Sequence, residues 1–300
     1  MINRSVPFSG IWLPLVTPFR DGALDTESLI RLVEYYRRQP VDGLIVAATT
    51  GEGMVLDGPE VLRLVETVAA TVAGSLPIVL GISGADTRKV AAAVTQAETW
   101  PLDGYLVASP YYTRPGQEGL RLHFEAVAQA TDRPVLIYNI PYRTGVNIAN
   151  DTLLALAEIG NIAGLKDCCA DMAQSFDLLS RKGPDFAVLT GEDALFYSAL
   201  VHGAEGGILA SAHIETAAFA VIRDRLLADD QVHALRAWRD LAALPRLLFA
   251  EPSPAPIKYW LWRQGLIASP EVRLPITQIS PALAVRLDTE MERRGVLAPA

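Results

Sequence analysis

The first 230 residues of the chain alternate between short apolar runs and longer amphipathic segments. Most of the apolar runs are aliphatic or β-branched without polar alternation, which is typical of parallel strands buried on both faces. The eight predicted strands are Ile11–Val16, Gly43–Ala47, Ile78–Ile82, Gly104–Ala108, Val135–Tyr138, Ala163–Lys166, Ala187–Thr190 and Gly207–Ala210. The helix-like stretches that follow them are Thr26–Arg38, Glu60–Ala73, Thr87–Thr99, Glu118–Ala130, Asp151–Glu158, Met172–Lys182, Ala194–Val201 and Glu215–Ala228.

Eight strand–helix units in about 220 residues predict an α/β fold of the (β/α)8 TIM-barrel type, with a ring of parallel strands inside a ring of helices. A doubly wound open sheet is the structural alternative. No nucleotide-binding motif supports that alternative, because no Gly-x-Gly-x-x-Gly follows the first strand and no Walker loop occurs in the sequence.

After Asp230 the pattern becomes helical throughout. A predicted helix over Gln231–Leu248 is followed by a proline-rich break at 251–256 and then by further helical segments. We therefore expect a barrel over residues 1–229 and a C-terminal helical extension over residues 230–300 that packs against it.

Composition narrows the class of protein. Half of the 300 residues are hydrophobic, so the chain can bury a large core. The formal net charge of −8 argues against nucleic acid or an anionic membrane surface as a partner. No apolar run approaches the ~18 residues that a bilayer span needs, and the N-terminus lacks a secretory pattern. The only cysteines, Cys168 and Cys169, are adjacent and have no histidine at ligand spacing, so we expect a cytoplasmic protein without a metal site.

Lys166 is the most informative single residue, because it ends a predicted buried strand in a chain that contains only four lysines. Burial disfavours the ammonium form, which lowers the pKa and leaves a nucleophilic amine that can attack a carbonyl group. The alternative is a strand-end lysine whose stem carries the charge out to solvent. The position alone does not decide between the two.

In a barrel, the chemistry belongs at the carboxyl ends of the strands. Tyr138 and Lys166 both occupy such ends and are 28 residues apart, which is one strand–helix repeat. Their side chains should therefore project from adjacent strands at the same level, where a phenol can carry protons for an amine. The alternative for Tyr138 is a core tyrosine whose hydroxyl bonds to the backbone.

Two further strand ends have a chemical and a structural interpretation. The turn Thr49-Thr50-Gly51-Glu52 either caps a helix or presents successive backbone amides as a nest for a small carboxylate. Arg143 follows the fifth predicted strand and is either a solvated loop residue or a group that binds a substrate carboxylate.

Taken together, these motifs resemble the dihydrodipicolinate synthase / N-acetylneuraminate lyase family of class I, Schiff-base aldolases, over essentially the whole chain. The segments that carry the resemblance are Thr49–Glu52, Ser109–Pro115, Tyr138–Gly145, Gly164–Asp167, Glu251–Lys258 and Arg273–Ile276.

This resemblance implies that Lys166 forms an imine with pyruvate and that Tyr138 carries protons for it. Tyr138 would be linked to Thr49 and to Tyr112, which in such enzymes reaches across from the neighbouring subunit. The resemblance also implies a homotetramer, a dimer of dimers, that acts on small molecules and uses neither a metal nor another cofactor.

The same resemblance implies the substrate-binding residues. The amides of Thr49 and Thr50 would hold the pyruvate carboxylate. Arg143 favours the synthase branch, in which this arginine binds the carboxylate of aspartate semialdehyde. Gly191, directly after the seventh predicted strand, and Ile208, on the eighth, complete the set.

Four departures from the family pattern border the predicted pocket and leave the second substrate open. They are Ala48 for glycine, Gly53 for serine, Asp167-Cys168-Cys169-Ala170 after the lysine, and His213 for asparagine. One alternative is a catabolic aldolase or dehydratase that acts on a 2-keto-3-deoxy acid through the same lysine. Another is a barrel that only binds a keto acid, but a binding protein needs no nucleophile.

Overall fold

The computed structural model describes residues 8–297. Within them, eight parallel strands close into a barrel, because the first strand pairs with both the second and the eighth. The strands are β1 (Gly10–Pro14), β2 (Gly43–Val46), β3 (Ile78–Ile82), β4 (Gly104–Ala108), β5 (Val135–Asn139), β6 (Ile162–Asp167), β7 (Ala187–Thr190) and β8 (Gly206–Ile208). The closed ring confirms the predicted TIM barrel and rules out the open sheet.

A helix follows each strand on the outside of the ring. These helices are α1 (Thr26–Tyr36), α2 (Gly58–Val72), α3 (Thr87–Ala97), α4 (Gln117–Ala128), α5 (Asn150–Ala157), α6 (Met172–Arg181), α7 (Phe196–Val201) and α8 (Ala212–Leu227). Asp25, Asp86 and Asp171 begin three of them by accepting hydrogen bonds from first-turn amides, which satisfies donors that the helix itself leaves free. In the described part of the chain, no helix combines the length and the apolar character that crossing a membrane requires.

Between residues 230 and 297 the chain forms four helices, which are α9 (Gln231–Leu241), α10 (Ala243–Leu248), α11 (Ala255–Arg263) and α12 (Pro281–Arg293). Helix α9 packs along α8, and α11 contacts both α8 and α12. The boundary between residues 229 and 230 stays a prediction. Residues 1–7 and 298–300 of the two predicted regions lie outside the described residues.

Two local features differ from the sequence expectations. The predicted helix over Gln231–Leu248 is divided into α9 and α10 at Ala242. Pro245 explains the division, because it has no N–H for the helical ladder and its ring clashes with the carbonyl four residues earlier. In addition, the chain between β1 and α1 forms an unpredicted ribbon, in which Phe19–Arg20 pairs with Ala23–Leu24.

The barrel has an apolar core inside the ring and a second one between the ring and its helices. The inner core includes Trp12, Ile45, Val79, Leu106, Leu136, Leu189 and Ile208. Both faces of the strands are therefore buried, which accounts for the absence of polar alternation in the apolar runs.

His213 is buried at the start of α8, and both of its ring nitrogens bond to the backbone. Nε2 accepts a hydrogen bond from the amide of Val16 at 3.2 Å, and Nδ1 donates to the carbonyl of Ala210 at 2.8 Å. Burial lowers the pKa of His213 to about 4. His213 is thus a neutral side chain that joins β1 to α8, and its nitrogens are not available to a substrate.

Acid should destabilise this protein partly through His213. Its pKa of about 4 in the folded state lies below the value of about 6.5 in an unfolded chain. Between these values the unfolded state binds more protons, so the free energy of unfolding should decrease as the pH falls from about 6.5 to about 4, by up to about 1.4 kcal/mol per pH unit. Denaturant unfolding across this range should show the decrease. His213→Gln should make it shallower, whereas a control change at the exposed His233 should leave it in place; equal slopes for the native protein and His213→Gln would contradict this assignment.

Candidate active site

Lys166 and Tyr138 face each other at the carboxyl end of the barrel. They are register partners on the adjacent strands β6 and β5, as the repeat spacing predicted. The Nζ atom of Lys166 lies 4.4 Å from the centroid of the Tyr138 ring. The exposed fractions of the two residues are only 4% and 5%. The structure therefore places an amine and a phenol together in surroundings that largely exclude water.

Burial sets the protonation of this pair. It lowers the pKa of Lys166, and the nearby carboxyl groups of Asp193 and Glu192 oppose that effect. Burial also raises the pKa of Tyr138 well above its ordinary value, while the nearby Thr49 side chain acts in the opposite direction. A neutral amine beside a protonated phenol is the combination that carbonyl addition needs, since the amine attacks and the phenol supplies a proton.

A second buried lysine, Lys258, is the natural rival of Lys166 as a nucleophile. Lys258 is fully buried, and burial lowers its pKa to about 8. Its Nζ atom, however, forms an ion pair with Glu52 and donates to the carbonyl of Glu271 at 2.7 Å. The amine of Lys166 has no such acceptor among the described residues, so Lys166 is the lysine that is free to react.

Gly191 lies against the side chain of Lys166. A Cβ atom at Gly191 would lie 2.3 Å from the sulfur of Cys168 and 2.5 Å from Cε of Lys166, so only glycine leaves room for the lysine stem. Ile208 is buried in the inner core that also contains Tyr138 and Cys168. Burial raises the pKa of the Cys168 thiol well above its ordinary value, so this cysteine acts as a neutral, small filler.

The turn after β2 presents free backbone donors. The amides of Thr49 and Thr50 donate no hydrogen bond within residues 8–297. Gly51 is fixed by the hydroxyl of Thr17, which donates to its carbonyl at 2.6 Å. Gly53 cannot be any other residue in this turn, because a Cβ atom there would lie 1.8 Å from the carbonyl oxygen of Ala47. This geometry suits a nest that binds a small anion.

Arg143 and Tyr112 lie at the rim. Arg143 belongs to a short helical turn, Pro141–Thr144, that follows β5. Its charge acts on both Lys166 and Tyr138, although its side chain is exposed. Tyr112 is 88% exposed and has a left-handed backbone with φ of 69°. Its hydroxyl bonds to no group in the described part of this single chain.

Sequence reasoning assigned no role to two carboxyl groups that follow β7. Asp193 is buried and accepts a hydrogen bond from the Ser211 amide at 2.5 Å, and burial raises the pKa of both Asp193 and Glu192. Burial also raises the pKa of Tyr142, and the nearby Glu192 acts in the same direction. The available signal was the run Gly-Glu-Asp at the end of a predicted strand, where a barrel places its chemistry.

A closed (β/α)8 barrel that holds a free, buried amine beside a phenol has the architecture of a lyase of the class I aldolase type. The model of the dihydrodipicolinate synthetase family matches residues 7–292. The chain therefore belongs to this family, and it is an enzyme of that lyase class.

Similar proteins cover nearly the full chain. One is the 4-hydroxy-tetrahydrodipicolinate synthase 2 of Clostridium acetobutylicum, which is 41% identical over 279 residues that cover 93% of this chain and 98% of the relative. Another is the 4-hydroxy-tetrahydrodipicolinate synthase of Phenylobacterium zucineum, which is 36% identical and covers 97% of this chain and 98% of the relative.

Solved structures agree with the fold. The dihydrodipicolinate synthase of Aquifex aeolicus superposes with a TM-score of 0.93 at 33% identity, covering 96% of this chain and 99% of that one. A structure described as the first monomeric dihydrodipicolinate synthase variant superposes with a TM-score of 0.94 at 32% identity, covering 97% and 98%.

We predict that Lys166 carries the covalent intermediate. After incubation with pyruvate and borohydride, the mass increment should map to the peptide that contains Lys166 and not to the one that contains Lys258. Lys166→Ala should abolish the label and lower turnover by at least about 10³-fold, because the nucleophile is lost. Lys89→Ala is the matched control and should keep both label and turnover. Labelling of Lys258 in the native protein would refute the assignment.

Proposed function

We propose that this protein is a 4-hydroxy-tetrahydrodipicolinate synthase, which condenses pyruvate with aspartate 4-semialdehyde. The observation that carries the proposal is the free, buried amine of Lys166 beside Tyr138, at the same end of the barrel as the free amides of Thr49 and Thr50. The names of the relatives that cover nearly the whole chain support the choice of the second substrate.

In the proposed reaction, the neutral amine of Lys166 attacks the keto carbon of pyruvate. The phenol of Tyr138 protonates the carbinolamine oxygen, which leaves as water and gives the imine. The Tyr138 phenolate then takes a methyl proton, which converts the imine into an enamine. The enamine carbon attacks the aldehyde carbon of the second substrate, and the Tyr138 phenol protonates the aldehyde oxygen, which becomes a hydroxyl group. The amine of that substrate then adds to the imine carbon and displaces Lys166, which closes the ring and restores the free lysine.

Charged groups on the substrates have partners in this arrangement. Pyruvate is an anion, and the unoccupied amides of Thr49 and Thr50 are donors of the kind that bind a carboxylate. The guanidinium of Arg143 lies at the rim and is suited to the carboxylate of the aldehyde substrate, since its planar fork matches two carboxylate oxygens. We propose Gly191 and Ile208 as residues that shape the pocket around the intermediate.

Arg143 should affect the binding of the aldehyde substrate and not the binding of pyruvate. Arg143→Ala should raise the KM for aspartate semialdehyde by roughly 10- to 100-fold, the cost of a lost charge-assisted hydrogen bond, with little change in the KM for pyruvate. Steady-state kinetics with each substrate varied in turn measure this difference, and Arg88→Ala is an exposed control. Turnover of a 2-keto-3-deoxy acid without any turnover of aspartate semialdehyde would contradict the proposed function in favour of the catabolic alternative.

We also propose that the enzyme is a homotetramer made of two tight dimers, in which Tyr112 completes the proton relay of the neighbouring subunit. Two features support this: the phenol is almost fully exposed in the single chain, and the backbone that carries it has a left-handed conformation unusual for tyrosine. One structural relative is described as a monomeric variant, so a monomer is the competing arrangement.

Mixing two inactive variants tests this arrangement. Tyr112→Phe should lower turnover by roughly 100-fold, since a general acid–base group is lost, and Lys166→Ala should be inactive. After subunit exchange, a mixed dimer contains one site with an intact lysine and an intact partner tyrosine, so activity should return. Sedimentation should show at least a dimer at assay concentration. A fully active monomer, or no return of activity after proven exchange, would contradict the proposal.

A further inference from the structure

The turn that carries Thr49 and Thr50 is held by the C-terminal region of the chain. Glu52, in the same turn, is buried and forms an ion pair with Lys258 on α11, although the two residues are 206 positions apart. The second oxygen of the Glu52 carboxylate accepts a hydrogen bond from the backbone amide of Arg273 at 2.9 Å. Both oxygens of Glu52 are therefore bound by groups from beyond the barrel.

Lys258 is equally well enclosed. Its Nζ atom donates to the carbonyl of Glu271 at 2.7 Å and lies 4.2 Å from the centroid of the Phe19 ring. The guanidinium of Arg273 lies 4.1 Å from the same ring. Phe19 comes from the ribbon after β1, so the ion pair joins that ribbon, the turn after β2 and the C-terminal segment at one point.

The turn needs such an external support. Glu52 and Ala47 have left-handed backbones, with φ of 54° and 53°, which residues other than glycine rarely adopt. Strained conformations of this kind persist only where the surrounding structure enforces them. The amide of Glu52 donates to the carbonyl of Thr49 at 3.1 Å, so the position of Glu52 determines where the Thr49 end of the turn lies.

We propose that Lys258 and Glu52 are positioning residues for the keto-acid substrate, so that the C-terminal region is part of the active site. Lys258 fixes the carboxylate of Glu52, Glu52 fixes the turn, and the turn aims the amides of Thr49 and Thr50 at the substrate carboxylate. This inference rests on the proposed function, in which those amides bind pyruvate.

The test compares Lys258→Met, Glu52→Gln and the double variant in the full-length protein. Each single change should raise the KM for pyruvate by roughly 10- to 100-fold through misplacement of the amides, while the KM for the aldehyde changes by less than about threefold. The double variant leaves no unpaired buried charge, so it should regain part of the affinity for pyruvate.

Circular dichroism and thermal unfolding report whether each variant is folded. If Lys258→Met does not fold, the test relies on Glu52→Gln, which keeps a hydrogen-bonding side chain.

Glu60→Gln is the matched control. Glu60 pairs with Arg273 at 2.5 Å and joins the same C-terminal segment to α2, but it does not bond to the turn. This variant should lose thermal stability and keep the native KM for pyruvate.

Two outcomes would overturn the inference. One is an unchanged KM for pyruvate in folded Glu52→Gln. The other is an equal loss in kcat and in both KM values, which indicates general disorder of the site. If instead the native protein shows no borohydride trapping with pyruvate, the proposed function itself fails, and this result is distinct from either outcome with the variants.

Discussion

The chemistry of this enzyme depends on the closure of its parallel barrel. Closure buries both faces of the strands and places Lys166 opposite Tyr138 in one register. An amine in such a place loses the hydration that an ammonium ion needs, and its pKa falls as a result. An open sheet with the same strands would leave an edge and would not enclose the pocket on all sides. The lowered pKa of Lys166 is thus a consequence of the architecture as much as of the residue.

Burial alone would make the amine of Lys166 a poor proton acceptor, but acidic side chains nearby raise its pKa again. Asp193 and Glu192 lie near Lys166, and their carboxyl groups oppose the fall in its pKa. Imine chemistry needs an amine that attacks in its neutral form and an adduct that gains a proton soon afterwards. Burial favours the neutral form of Lys166 for the first step, and the two carboxyl groups favour the gain of a proton in the second.

The two buried lysines, Lys166 and Lys258, differ in the contacts that their amines make. The amine of Lys166 has no hydrogen-bond acceptor among the described residues. The amine of Lys258 forms an ion pair with Glu52 and donates a hydrogen bond to the carbonyl of Glu271. A buried ion pair of this kind contributes little net stability compared with an apolar pair, but removal of one partner leaves an uncompensated charge and costs about 3–5 kcal/mol. In this protein the Glu52–Lys258 pair acts mainly on geometry, because it holds the strained turn after β2 in one conformation.

The sequence by itself determined the elements and much of the site. Apolar runs without alternation gave the eight strands, and the 28-residue repeat placed Tyr138 beside Lys166, because strand and helix periodicities act over short distances along the chain. Only the tertiary structure decided which buried lysine is free, since the Glu52–Lys258 pair joins positions 206 residues apart, a contact that no local pattern encodes. The same holds for the closeness of Gly191 to the stem of Lys166 and for the backbone bonds of His213, because these contacts form only when the ring has closed and the helices have packed on it.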